Sequence, residues 1–386
     1  LVYFAKQLFD GEQMHNNCAI HINENGIISE IVYDTFPLES HLICEGIICP
    51  AFINAHCHIE LSHLKNVIPK NQGLVNFILD IIKNRKSDEN IIQASIQEAM
   101  EEMWNNGIIF VGDISNTIDS LKCKVNNELQ SHTFIELIGF NPAAYLNYFD
   151  NGKQVLHEFN NAKLSSSFAL HAPYSVSLPL FKHTLKHSDK IVSFHNQESM
   201  EENKFFENGF SDFNRLYNSL SIEINHHKSY NTSGLALWNK DLLQYNENII
   251  LVHNTYISAL DFELIKNKKN IYLCTCPKAN IFIENTLPNY NEWLKNKTQI
   301  CIGTDSLASN NSLSIFDEIK TIKHFFPNIE LKEILRWATF NGAKALNISD
   351  KYGKIIAGRN AKIVHLKNTA YISYGKNHET QFEKLY

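Results

Sequence analysis

The stretch PAFINAHCHIELSHL, Pro50 to Leu64, decides how this chain is read. It is an apolar run that ends on two histidines one residue apart. Successive side chains on a strand point to opposite faces, so His56 and His58 share a face while Cys57 points away. Two imidazoles aimed at one point are half of a metal site, or a coincidence in a chain with 18 histidines. His226 and His227 are read as such a coincidence. The rest of the chain must decide which reading holds for His56 and His58.

Seven further runs have the same form: GIIFVGDIS, HTFIELIGF, SFALHAPY, KIVSFHNQE, NIILVHNTY, NIYLCTCPK and QICIGTDS. Each is continuously apolar, ends in a polar residue and precedes a helix-like stretch. Runs apolar on both faces indicate strands buried on both sides, as in a parallel sheet. Between them lie amphipathic patterns such as NQGLVNFILDIIKNR, ENIIQASIQEAMEEMWNNG, SLSIFDEIKTIKHFF and LKEILRWATFNGAKALN. Strand alternating with helix implies right-handed crossovers, and eight such strands close a (β/α)8 TIM barrel. The expected barrel occupies residues 49–351. The two ends differ from it. Residues 1–48 contain CAIHINENGIISEIVYD, which alternates as strands do and carries Asn25-Gly26 as a hairpin turn. Residues 352–386, with YGKIIAGRNAKIVHLKNTA, again read as short strands. Together the termini are expected to form a small flanking β-sandwich domain, giving an α/β fold overall.

Bulk properties narrow the classes of function. Hydrophobic residues at 44% and charged residues at 20% describe an ordinary globular protein. A formal charge of −6 argues against a nucleic-acid partner, which selects a basic face. No apolar run reaches the length of a membrane span, and LVYFAKQLFDGEQ shows no signal-peptide pattern. The eight cysteines are scattered, with Cys44, Cys49, Cys274 and Cys301 inside apolar runs. They read as reduced core residues, the Cys274-x-Cys276 pair included, and a cytoplasmic location is expected.

In barrels of this kind the reacting groups sit at the C-terminal ends of the strands. Strand one ends in His56-Cys57-His58, strand four in His171, strand five in His195, strand six in His253 and strand eight in Asp305. Scattered histidines would not keep choosing one end of successive strands. Convergent nitrogen and oxygen ligands suit zinc, with iron or manganese as alternatives.

This constellation resembles the amidohydrolase superfamily over nearly the whole chain. The resemblance implies that His56, His58, His195 and Asp305 hold a divalent cation and that His253 acts with it. Strand four, SFALHAPYS, has no lysine to become a bridging carbamate, so one metal ion is expected. FHNQES places Glu198 three residues after His195, a pattern similar to the mononuclear deaminase branch. There the histidine binds metal and the carboxyl group moves protons. The implied chemistry is hydrolytic deamination. A metal-activated water attacks the amino-bearing ring carbon, Asp305 and His253 orient it and take its proton, and Glu198 relays a proton to the ring. Alternatively, Glu198 merely begins a charged helix.

NAHCHIELS and LHAPYS further resemble deaminases of 5'-modified adenosines, the aminodeoxyfutalosine and S-adenosylhomocysteine deaminases among them. That likeness implies ribose contact by Glu60 and nucleoside contact by His171, with Tyr174 and Ser175 at the same mouth. The bland alternatives are a lysine partner for Glu60 and a purely structural His171. Asn280 and Asn310 are expected to fix turns, Ser306 and Ser309 to lie beside Asp305 in structural roles, and Asp113 and Asn116 to reach the strand-two mouth without an assigned task. The expected partner is a small molecule, and the resemblance implies a homodimer.

The H-x-E…P-C-x-x-C deaminase signature fails, because no C-x-x-C occurs in the chain. The same machinery could open an imidazolone ring or displace chloride from a triazine. A non-catalytic scaffold would be expected to have lost the metal ligands.

Overall fold

The computed structural model describes residues 1–266, 268–368 and 381–385. Residues 369–380 and 386 of the expected C-terminal part lie outside the described residues. Six strands from the two ends form one mixed sheet: β1 (Val2–Phe9), β2 (Met14–Ile22), β3 (Ile28–Val32), β4 (Leu42–Pro50), β13 (Ile363–Lys367) and β14 (Gln381–Lys384), in the order β14-β13-β4-β1-β2-β3. The β2–β3 loop turns at Gly26, whose φ of 73° is left-handed. The Asn23 side chain accepts from the backbone of Asn25 and Ile27, both at 3.0 Å, and locks that loop. This sheet has its own apolar cluster, including Ala5, Leu8, Cys18, Ile20, Ile48 and Ile363.

The eight apolar runs are the eight barrel strands. They are β5 (Phe52–Cys57), β6 (Ile108–Ser115), β7 (Gln130–Leu137), β8 (Ser165–Leu170), β9 (Val192–Asn196), β10 (Ile249–His253), β11 (Ile271–Thr275) and β12 (Gln299–Ile302). Pairing is parallel throughout, within a β5–β8 half and a β9–β12 half. Backbone bonds close both seams. His195 N–H donates to the His171 carbonyl at 2.8 Å, and Thr304 and Asp305 N–H donate to the His56 carbonyl at 3.0 and 3.1 Å.

The helices follow the periodic stretches. Leu74–Asn84 lies within the first, and Asp88 caps Glu89–Asn105 by accepting from Asn90 N–H. Ser314 caps Ile315–Phe325 in the same way. The last stretch widens into a π turn at Trp337–Asn341 before Gly342–Ala345. One glycine decides a close approach: a β-carbon on Gly303 would lie 2.7 Å from the His56 carbonyl oxygen and 2.8 Å from His56 Cβ. All eight cysteines are free thiols. Among the described residues, no helix is long and apolar enough to cross a membrane.

Candidate metal centre and active site

The strand ends bring the expected ligands together. One ligand atom each from His56, His58, His195 and Asp305 lies within 4.8 Å of all the others. His58 Nε2 and His195 Nε2 face each other at 3.2 Å, and Asp305 Oδ1 is 3.5 Å from Nε2 of both His56 and His58. His195 Nδ1 meets the His171 carbonyl at 2.8 Å; a carbonyl only accepts, so Nδ1 carries the proton and Nε2 the lone pair. The backbone turns sharply to achieve this convergence. His253 and Asp305 hold left-handed φ values of 69° and 58°, strain of about 1–3 kcal/mol each for non-glycine residues.

Electrostatics fit a cation. Burial and the neighbouring His56 push His58 down to about 4, and burial with four surrounding imidazoles takes His195 well below its ordinary value. Both rings are therefore neutral, and the lone pair on His195 Nε2 faces His58 Nε2. Among the described residues, buried His56 has no hydrogen-bond partner on either ring nitrogen. Burial alone would raise Asp305, but the His56 contact and the fields of His58 and His253 hold it far below the usual carboxylate range. Neutral imidazoles around an anionic carboxylate form a donor set that a divalent cation completes.

Glu198 and His253 complete the floor. Glu198 Oε1 is 3.5 Å from His253 Nε2, and His253 Nδ1 is 3.2 Å from Asn280 Oδ1. Burial, followed by the fields of Asp305 and Glu284, raises Glu198 well above an ordinary glutamate, which favours its protonated form. All of these groups except His56 and Asn280 line one cavity of about 330 Å³. Away from the ligands its wall is apolar, with Phe77, Ile78, Ile81, Leu216, Leu220 and Ile222 from two helices and the loop that follows the second. His171 and Tyr174 line the same cavity, and Ser175 Oγ holds His171 Nδ1 at 2.5 Å.

Several expectations are corrected. Glu60 does not line the cavity. Its carboxylate accepts from Asn116 N–H at 3.0 Å and Thr117 Oγ1 at 2.8 Å and faces Arg85 at 3.3 Å, so ribose contact by Glu60 is not carried forward. The short 3-10 turn after His58 is what swings it sideways. Asp113 does not reach the mouth either. It is fully buried, accepts from Ile59 N–H at 2.8 Å and pairs with Lys124 Nζ at 2.5 Å, which ties the backbone just after His58 to β6. Asn116 does line the cavity. Asn280 does more than fix a turn, because its amide oxygen sets the His253 ring. Asn310 does bond local backbone, donating to the Thr304 carbonyl at 3.0 Å. Ser309 donates to Asp305 Oδ2, and Ser306 lines the cavity beside it. Sequence reasoning passed over Asn54, whose amide spans β5 and the turn after β12 through Thr304 Oγ1 at 2.8 Å and Thr304 N–H at 3.1 Å. It also passed over Glu136, which lines the cavity from β7. Each was legible as a polar residue inside an apolar stretch, Asn54 in FINAHC and Glu136 in FIEL.

A TIM barrel with a metal-ligand ring at its C-terminal mouth defines a class of metal-dependent hydrolases. Residues 47–384 match the Amidohydrolase family, and the chain belongs to it. Among curated relatives it is 28% identical over 334 residues to an adenosine deaminase of Helicobacter pylori, covering 84% of this chain and 80% of the relative. It is 26% identical over 334 residues to an aminodeoxyfutalosine deaminase of Nitratiruptor, covering 82% and 78%. Its fold matches the crystal structure of Helicobacter pylori aminofutalosine deaminase in complex with methylthio-coformycin, with a TM-score of 0.80, 24% identity and coverage of 98% and 97%.

Proposed function

We propose that this chain is a zinc-dependent deaminase of an aminated purine nucleoside, with aminodeoxyfutalosine or another 5'-modified adenosine as substrate. The observation that carries this reading is a buried Glu198 carboxyl 3.5 Å from His253, in the cavity that the ligand ring opens into. Relatives named as adenosine-type deaminases support the substrate class. So does the cavity, whose apolar wall suits a purine with a sugar and a 5' substituent better than a free base.

His56, His58, His195 and Asp305 would hold the cation, which when bound supplies a Lewis acid that acidifies water toward neutral pH. The chain's own groups divide the remaining work. Asp305 is anionic and accepts the proton that the attacking water gives up. His253 stays neutral, its Nδ1 donating to Asn280 Oδ1, and its Nε2 lies 3.5 Å from Glu198 Oε1. Glu198 then donates its proton to the ring nitrogen next to the amino-bearing carbon. With the proton from Asp305 passed to the amine, the carbon–nitrogen bond breaks, ammonia leaves, and the remaining hydroxyl proton returns to Glu198 as the ring carbonyl forms. His171 contacts the nucleoside from the strand-four mouth.

The test is ammonia release by the zinc-loaded protein from a panel of adenosine, 5'-deoxyadenosine, 5'-methylthioadenosine and aminodeoxyfutalosine. Glu198→Gln should lower kcat by about 10²–10⁴-fold while zinc stays bound. No release from any member of the panel would overturn the reading, and near-normal kcat in Glu198→Gln would overturn the role of that residue.

A further inference from the structure

Glu136 stands next to the C-terminal residue of β7 as the one acid of the run HTFIELIGF. Its Oε2 accepts from Asn116 Nδ2 at 2.9 Å. Its Oε1 is buried, has no hydrogen-bond partner among the described residues, and lies 3.8 Å from His195 Nδ1. A buried carboxylate oxygen left bare is costly, so something must compensate it in the working protein. The nearest candidate is the ring that carries metal charge. His195 already donates Nδ1–H to the His171 carbonyl, and the Glu136 oxygen sits beside that same N–H. Carboxylates behind a metal-binding imidazole make its other nitrogen a better donor and fix the ring plane.

The carboxylate is held in turn. Asn116 N–H is bound by Glu60, and Glu60 also takes Thr117 N–H and Oγ1. A continuous path therefore runs from Glu60 through the loop after β6 to Asn116, Glu136 and His195. It gives a task to two residues, Glu60 and Asn116, that the proposed reaction does not use.

We infer that Glu136 is a positioning residue for the metal centre, raising the affinity of the His195 side for the divalent cation, with Asn116 and Glu60 holding it in place. This rests on the metal reading of His56, His58, His195 and Asp305. A second cation between Glu136, His171 and His195 is not what the geometry offers, although their ligand atoms are also close. His195 Nδ1 is protonated toward a carbonyl, and its Nε2 already belongs to the first centre.

The experiment is zinc affinity of the metal-stripped full chain, measured by competition with a chromogenic chelator, together with zinc stoichiometry. The unaltered chain should take up one equivalent. Glu136→Gln should weaken binding by about 10–100-fold, the range for lost partners of metal-binding histidines, and Asn116→Ala should weaken it less. Glu136→Asp keeps the charge, should retain more affinity than Glu136→Gln, and carries the test if the Gln variant fails to fold. No zinc uptake by the unaltered chain would sink the metal reading and the inference together. Normal uptake with equal affinity in Glu136→Gln would overturn the inference alone. So would a second equivalent lost with Glu136, or a raised nucleoside KM at unchanged zinc affinity, since either would make Glu136 a direct ligand of metal or substrate.

Discussion

The β5–β8 half of the barrel supports its share of the centre with charges, whereas the β9–β12 half does so with amides and neutral acids. Behind His58 lie the fully buried Asp113–Lys124 pair, with Lys124 also on Thr133 Oγ1 at 2.8 Å, and the Glu60–Arg85 pair. Behind His195 and His253, Asn196 donates to Asn254 at 3.0 Å, and Asn254 donates to the Leu251 carbonyl at 2.7 Å. Two buried acids of that half, Glu202 and Glu318, are raised by burial to about 8, which favours their neutral forms at pH 7. The difference teaches where the fold is brittle. A buried charge pair holds geometry tightly but leaves a bare charge when one partner goes, while a neutral network loses only a hydrogen bond.

The largest effect should therefore come from Lys124→Met, which strands Asp113 and should cost about 3–5 kcal/mol in urea unfolding of the metal-free protein. Replacing both partners, Asp113→Leu with Lys124→Met, should recover much of that loss in stability. The bond from Asp113 to Ile59 N–H is gone in the double variant, so zinc affinity should stay low even where stability returns. On the other half, Asn254→Ala should cost only about 1–3 kcal/mol. If Asn254→Ala proves as damaging as Lys124→Met, the contrast between the halves is broken.

The seam where the halves meet makes an intermediate case. In Gly303→Ala the new methyl meets His56 backbone and Cβ at distances real β-carbons do not tolerate. Overpacking of this kind costs about 1–3 kcal/mol, and here the strain falls on a metal ligand. Zinc affinity should fall together with the unfolding midpoint. A drop in stability with zinc affinity untouched would mean that the seam yields on the β12 side.

What could be read in advance follows the same division. The eight strands and the ring of His56, His58, His195, His253 and Asp305 were legible because strand period and barrel polarity are local rules. Glu198 was legible from its spacing to His195. The charged support was not. Asp113 and Lys124 are eleven residues apart, on a strand and a short helix whose packing no periodicity announces. Glu60 misled because its neighbours carry the chemistry, while a 3-10 turn that depends on Asp113 and the Thr117 loop decides where it points. Asn280 looked like a turn residue, and only the approach of two strand ends makes it a partner of His253. Tertiary proximity, rather than residue type, assigns these roles.

The smallest effect sharpens the claim that Glu318, on the β9–β12 half, is held neutral. Glu318 accepts from Asn310 Nδ2 at 2.8 Å and from Lys278 N–H at 2.9 Å, and burial outweighs both contacts. In the folded chain it keeps its proton up to about 8, whereas unfolded it loses it near 4.5. Between those values the unfolded state binds fewer protons than the folded one, so stability falls as pH rises. The contribution is complete below about 4.5, is lost progressively up to about 8, and does not change further above that. Glu318→Gln removes the titration and keeps a neutral side chain of the same shape. Its unfolding free energy should decline less steeply across this window than that of the unaltered chain. Parallel pH profiles would mean that Glu318 is already ionised in the fold, and that the second half, like the first, rests on charge.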